Sequence, residues 1–137
     1  MKCSGLSADQ LRQKAVPPSG ISLLGLIRHL AEVERSWFQN VMNGENTPGY
    51  WGRRPDGEFA EFHVDEADPD EAFGVWHAAY ARSRAVVDAA GSLDVLGHYN
   101  EEEFSLRYVL THMIEEYARH NGHADLLRER IDGSTGE

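Results

Sequence analysis

The segment Glu116-Tyr-Ala-Arg-His120-Asn-Gly-His123 sets a carboxylate and two imidazoles along a long amphipathic helical pattern. Residues four apart on a helix project from one face, so Glu116 and His120 can hold one cation together if another element brings a third ligand. His29, inside the helical pattern Leu23–Met42, is the candidate for that ligand. Two imidazoles and one carboxylate suit Zn²⁺ and leave positions for water or substrate. The same set suits Fe²⁺, so residue types alone do not choose the metal.

The elements that must position these residues read as helices, with almost no strand signal. Ser7-Ala-Asp-Gln10 fits a capping box, and Leu11–Val16 is expected as a short helix stopped by Pro17-Pro18. From about Ser22 to Met42, Leu23, Leu26, Leu30, Val33, Trp37 and Val41 recur at helical spacing, with Arg28, Glu32 and Arg35 on the other side. Asn43-Gly44 ends that helix. Residues 43–68 are rich in Gly, Pro, Asp and Glu and carry Tyr50, Trp51, Phe59 and Phe62 without alternation, so they read as a long ordered loop. Loops of that length often line functional sites, and the aromatics suggest that it packs down as a lid with Tyr50 and Trp51 at the substrate pocket.

Asp68-Pro69-Asp70-Glu71 combines a cap, a first-position proline and acids at the positive helix end. The helix it opens should run to about Ala90, burying Phe73, Trp76, Tyr80 and Val87, with Gly91 as the stop. A second loop passes through Tyr99 and Asn100. Ser105 then caps a helix expected to reach about Ile131, ahead of a polar tail. Three substantial helices and one short one describe an all-α bundle in one domain.

On the last helix, Val109, Met113, Ala124, Leu127 and Ile131 form one stripe, and Glu116 and His120 fall inside it. His112 and His123 lie at its edge, while Arg107, Glu115, Arg119 and Arg130 point elsewhere. An inward carboxylate costs several kcal/mol unless it is paired or coordinates a metal. The same construction turns His29 inward beside Leu26, Val33 and Trp37. His112 and His123 are read as outer partners that orient the ligands. On residue type alone, an inward-edge histidine such as His29 is more often a hydrogen-bonded core residue than a ligand, and the same weight falls on Glu116 with His120 as an intrahelical ion pair. His63, His77 and His98 form no pattern.

Composition excludes several classes. The chain has 137 residues and a formal net charge of −10, without the clustered Lys and Arg that phosphate-backbone binding requires, so nucleic acid is not an expected partner. Cys3 is the single cysteine, which rules out an internal disulfide and fits a reducing compartment. There is no signal-peptide pattern, and the apolar stretches are broken by Arg28, His29, Glu32 and Glu34. The expectation is a cytoplasmic protein with no membrane partner.

The stretches Leu23-Leu-Gly-Leu-Ile-Arg-His29-Leu-Ala-Glu-Val-Glu-Arg-Ser-Trp37-Phe and Ser105 to Asp125, with His112, Glu116, His120 and His123, resemble the DinB-like superfamily. More closely they resemble its DUF664 branch, over nearly the whole chain. The resemblance implies a four-helix bundle with a metal held by one side chain of the second helix and two of the last, at His29, Glu116 and His120. Many relatives have histidine where this chain has Glu116, whereas the mycothiol-dependent maleylpyruvate isomerases are similar to it in using glutamate.

The resemblance also implies a low-molecular-weight thiol of the mycothiol or bacillithiol type as co-substrate. Zn²⁺ is the expected metal, with Ni²⁺, Fe²⁺ or Mn²⁺ as alternatives. The cation stabilises thiolate, which attacks an electrophilic substrate. A metal-dependent hydrolase and a non-catalytic metal-binding protein are the rival readings. Members of the superfamily usually begin with a full helix ahead of the segment matching Gly5–Val16, so a bundle lacking most of its first helix is expected, unless the start site is misplaced. The apolar surface so exposed would be covered in a homodimer.

Overall fold

The computed structural model describes residues 2–136. Helix α1 spans Ala8–Arg12, opened by the reciprocal Ser7–Gln10 capping box. It starts on the box, ahead of the expected Leu11, and stops at Arg12, short of the expected Val16, because Gln13 turns extended and Ala15 enters the core. Arg12 fixes that exit by donating from Nε and Nη2 to the Ala67 carbonyl, at 2.9 and 2.7 Å.

Helix α2 spans Leu23–Glu34, with Ser22 Oγ accepting from the Gly25 amide at 3.1 Å. It continues as a π-helical segment, Arg35–Met42. The wider turn shifts the buried face: Glu34, Phe38 and Gln39 are buried, while Trp37 is only half-buried. Arg28 was expected to face outward and is instead 5% exposed, with its guanidinium 4.6 Å over the Trp51 ring and Nη1 on the His63 carbonyl.

Helix α3 spans Pro69–Ala89, capped by Asp68 with proline at its start. Its most buried positions are Ala72, Ala79 and Ser83, and the larger Phe73, Trp76, Tyr80 and Val87 flank that contact half-buried. Small residues in the seam let α3 approach α2 closely. Helix α4 spans Leu106–Asp132, capped by Ser105 and ended by Gly133 at φ +81°. Of its expected stripe, Val109, Met113, Glu116, Ala124 and Leu127 are buried, and His120 and Ile131 are partly buried.

The all-α expectation needs one correction. Strands β1 (Leu96–Tyr99) and β2 (Glu102–Ser105) pair as an antiparallel hairpin, Leu96 opposite Ser105 and Tyr99 opposite Glu102. Asn100 takes the left-handed turn at φ +54°. Glu101–Glu103 are poor strand formers, so the local sequence conceals the pairing. What holds it is tertiary: Gly97 lies against the end of the π-helical segment, where an added Cβ would stand 2.6 Å from the Val41 carbonyl oxygen. The molecule is therefore largely helical, with three long helices, the five-residue α1 and a small sheet, rather than a pure four-helix bundle.

Two apolar clusters make the core. One joins Leu11, Leu23, Leu24, Val64, Ala72, Ala124 and Leu127; the other joins Phe38, Leu106, Val109 and Met113. His29 on α2 and Glu116 and His120 on α4 fall between the stretches that feed the two clusters. A polar layer thus interrupts an otherwise apolar α2–α4 seam. Among the described residues, no helix is long and apolar enough to cross a membrane.

Candidate metal centre

Glu116 and His120 share a face of α4, and the Glu116 Oε2 lies 3.2 Å from His120 Nε2. Across the seam, His29 Nε2 lies 3.7 Å from the same oxygen. One ligand atom from each of the three residues lies within 4.8 Å of the other two. A tetrahedral site with N and O ligands at about 2.0–2.2 Å has ligand–ligand edges of about 3.3–3.6 Å. The two measured separations bracket that range. The His29 and His120 rings meet edge to face at 4.7 Å.

The carboxylate's energetic state favours the same reading. Glu116 is 9% exposed, and Oε2 is buried without a hydrogen-bond partner. Oε1 faces His112 Nε2 at 3.5 Å and Arg119 Nη1 at 3.6 Å. An unsatisfied buried carboxylate oxygen is expensive, and a cation seated between it and the two imidazoles would satisfy it. Burial first, and then the neighbouring His29, push the His120 imidazole below its ordinary value, against the opposing pull of Glu116. His120 therefore tends to the neutral form, which is the form that ligates.

Each imidazole is held at its second nitrogen. His120 Nδ1 lies 3.3 Å from His123 Nδ1, so one of the two carries the shared proton. His29 Nδ1 is 2.9 Å from Glu61 Oε1, and the Phe62 ring stacks on His29 at 5.3 Å. Glu61 and Phe62 belong to a 3₁₀ turn, Ala60–Phe62, in the middle of the long loop. His112 lies beside Glu116, and His123 beside His120.

Glu61 escaped the sequence reading because it is one acid among several in the loop and has no periodic relation to His29; its one visible signal is the aromatic neighbour Phe62. Tyr50 and Trp51 are placed elsewhere than at the triad. Tyr50 accepts from Gln39 Nε2 at 3.2 Å, and Trp51 lies under Arg28.

The triad stands between two cavities. A cleft of about 780 Å³ reaches His120 and is walled by Leu26, Leu30, Trp76, Tyr117 and Asn121, with Cys3 and Arg128 farther along. Trp76 Nε1 donates to the Tyr117 hydroxyl at 2.9 Å, and that hydroxyl donates to Glu34 at 2.7 Å. Burial and Glu34 push the Tyr117 hydroxyl far up, so it stays a neutral donor. A second cavity of about 310 Å³ reaches His29 and Glu61 and is walled by Glu32, Arg35, Arg53 and Phe59, with Gly49 and Gly52 from the loop.

A family model described as "MST: Mycothiol-S-transferase" matches residues 1–133. No curated protein and no solved structure matches the chain.

Proposed function

The chain belongs to the mycothiol-S-transferase family, within the DinB-like superfamily, and from that membership we propose that it transfers a low-molecular-weight thiol to an electrophile at a divalent metal held by His29, Glu116 and His120. The observation that carries the metal assignment is the convergence of the three ligand atoms around a buried, unsatisfied Glu116 oxygen. Zn²⁺ is the metal proposed, since tetrahedral N and O ligation with an open position suits it. Within the superfamily we place the chain nearest the DUF664 branch, and we propose a cytoplasmic homodimer.

When bound, the metal lowers the pKa of a thiol that reaches it. The protein's own residues then have three tasks. His29 and His120 turn ring nitrogens toward the site, held there by Glu61 and His123. The two cavities give the thiol and the electrophile separate approaches to the triad. Leu26, Leu30 and Trp76 exclude water on the His120 side. The sulfur forms a bond to the electrophilic carbon, the leaving group departs with its electron pair, and the thiol proton passes to solvent.

Cys3 does not supply the sulfur on this reading, because burial pushes its thiol up and keeps it neutral.

The test is elemental analysis of tag-free protein after incubation with Zn²⁺, for wild type and Glu116→Ala, followed by turnover of an electrophile with and without mycothiol. One Zn²⁺ per wild-type chain, its loss in the variant, and thiol-dependent turnover are expected. Turnover without thiol would instead establish the hydrolase. Stoichiometric metal with no turnover would leave a binding protein.

A further inference from the structure

We propose that Glu61 is a positioning residue for the metal centre, and that through it metal binding orders the part of the loop that walls the cavity beside His29. The inference rests on the proposed metal reading and goes beyond it, since Glu61 lies outside the triad. Three successive loop residues grip one turn of α2. Glu61 Oε1 holds His29 Nδ1 at 2.9 Å, Phe62 stacks on the same imidazole, and the His63 carbonyl accepts from Arg28 Nη1 at 2.5 Å. Phe62 packs closely over Gly25, where an added Cβ would stand 3.2 Å from Phe62 Cδ1.

The two ring nitrogens of His29 face opposite ways. Nε2 faces Glu116, and Nδ1 faces Glu61, which is 7% exposed. Ligation at Nε2 fixes the proton on Nδ1, where it can only donate outward. A metal held at Nε2 would fix His29 as the donor to the Glu61 carboxylate and polarise that hydrogen bond. The metal therefore binds the gripped loop better than the released one, and by linkage the gripped loop binds the metal better by the same factor. Gly49, Gly52, Arg53 and Phe59, which wall the cavity, precede the turn so fixed in the same loop. The loop also joins its own strand of contacts there through the Arg53–Phe59 bridge.

The experiment compares apo and Zn²⁺-loaded wild type, Glu61→Gln, Glu61→Ala and His120→Ala by hydrogen exchange, and measures Zn²⁺ affinity by competition with a chelating dye. In wild type, Zn²⁺ is expected to slow amide exchange over residues 58–64. In Glu61→Ala the affinity should fall about 10–100-fold, and the Zn²⁺-dependent protection should shrink with it. Glu61→Gln keeps the shape and an acceptor oxygen, and should lie between the two.

His120→Ala leaves the Glu61–His29 contact in place and should show no protection from Zn²⁺. A purely structural role for Glu61 would change exchange in the apo proteins and leave the Zn²⁺-dependent difference intact. Wild-type affinity in both Glu61 variants, or a loop indifferent to Zn²⁺ in wild type that binds it, overturns the inference and spares the metal centre. Wild type that binds no Zn²⁺ overturns both.

Discussion

At Glu116, stability and ligand binding make opposite demands. Its Oε2 is buried without a well-formed hydrogen bond, its nearest contacts being His120 Nε2 at 3.2 Å and His29 Nε2 at 3.7 Å. A buried carboxylate oxygen without a hydrogen-bond partner costs the metal-free protein its desolvation. Glu116→Gln should therefore stabilise the metal-free protein by about 1 kcal/mol while lowering Zn²⁺ affinity at least tenfold, as read by urea denaturation and dye competition. A variant that loses both stability and affinity would show that the carboxylate is already paired without metal. The same reasoning explains why neighbouring residues carry such different weight: Arg119 approaches Glu116 but is largely exposed, and its replacement by Ala should change stability by under about 1 kcal/mol.

Among the elements, the hairpin and the N-terminal segment depend most on contacts far away in sequence. Gly97 lies against the Val41 carbonyl and Met42, and an added Cβ would be 2.6 Å from the former and 2.8 Å from the sulfur of the latter. Met42 can move, but the backbone carbonyl cannot without shifting the π-helical segment. Gly97→Ala should cost about 1–3 kcal/mol, measured as a lowered urea midpoint.

The N-terminal segment is tied down by Arg128, whose Nη1 donates to the carbonyls of Lys2 and Ser4 at 3.0 and 2.8 Å while Nε and Nη2 hold Asp132. Hydrogen bonding to Arg128, and then to Ser134, holds the Asp132 carboxyl down at about 2. A depressed acid contributes stability above its unfolded value and loses it as pH falls toward its folded one. The stability difference between wild type and Asp132→Asn should thus be constant above about pH 5 and shrink as pH falls from 3.8 toward about 2. A difference that persists at pH 2 would contradict the pairing.

For the whole molecule, the two core clusters meet at the polar layer of the triad, so occupancy of that layer should be felt globally. If Zn²⁺ binds as proposed, a concentration 100-fold above Kd stabilises the fold by about 2.7 kcal/mol. Adding EDTA to the loaded protein should lower Tm accordingly and leave that of His120→Ala unchanged. The proposed homodimer can be tested at Ile114 on α4, which is 70% exposed. Light scattering should give twice the chain mass for wild type and a monomer for Ile114→Arg; a monomeric wild type would overturn the proposal.

Local chemistry determined which segments became helices and how α4 is oriented. Ser7, Asp68 and Ser105 cap where the sequence says they should, because a cap needs only the next three residues. Helical periodicity likewise put Glu116 and His120 on one buried face of α4 and turned His29 toward them.

The partner of His29 had no such signature, since Glu61 is 32 residues away on an irregular loop. Tertiary packing alone decided that contact. It also decided the burial of Arg28 under Trp51, the slip of the buried face where α2 becomes π-helical, and the hairpin seated on Gly97. Each depends on a surface supplied by a distant part of the chain, and no spacing within the sequence encodes which loop residue will arrive there.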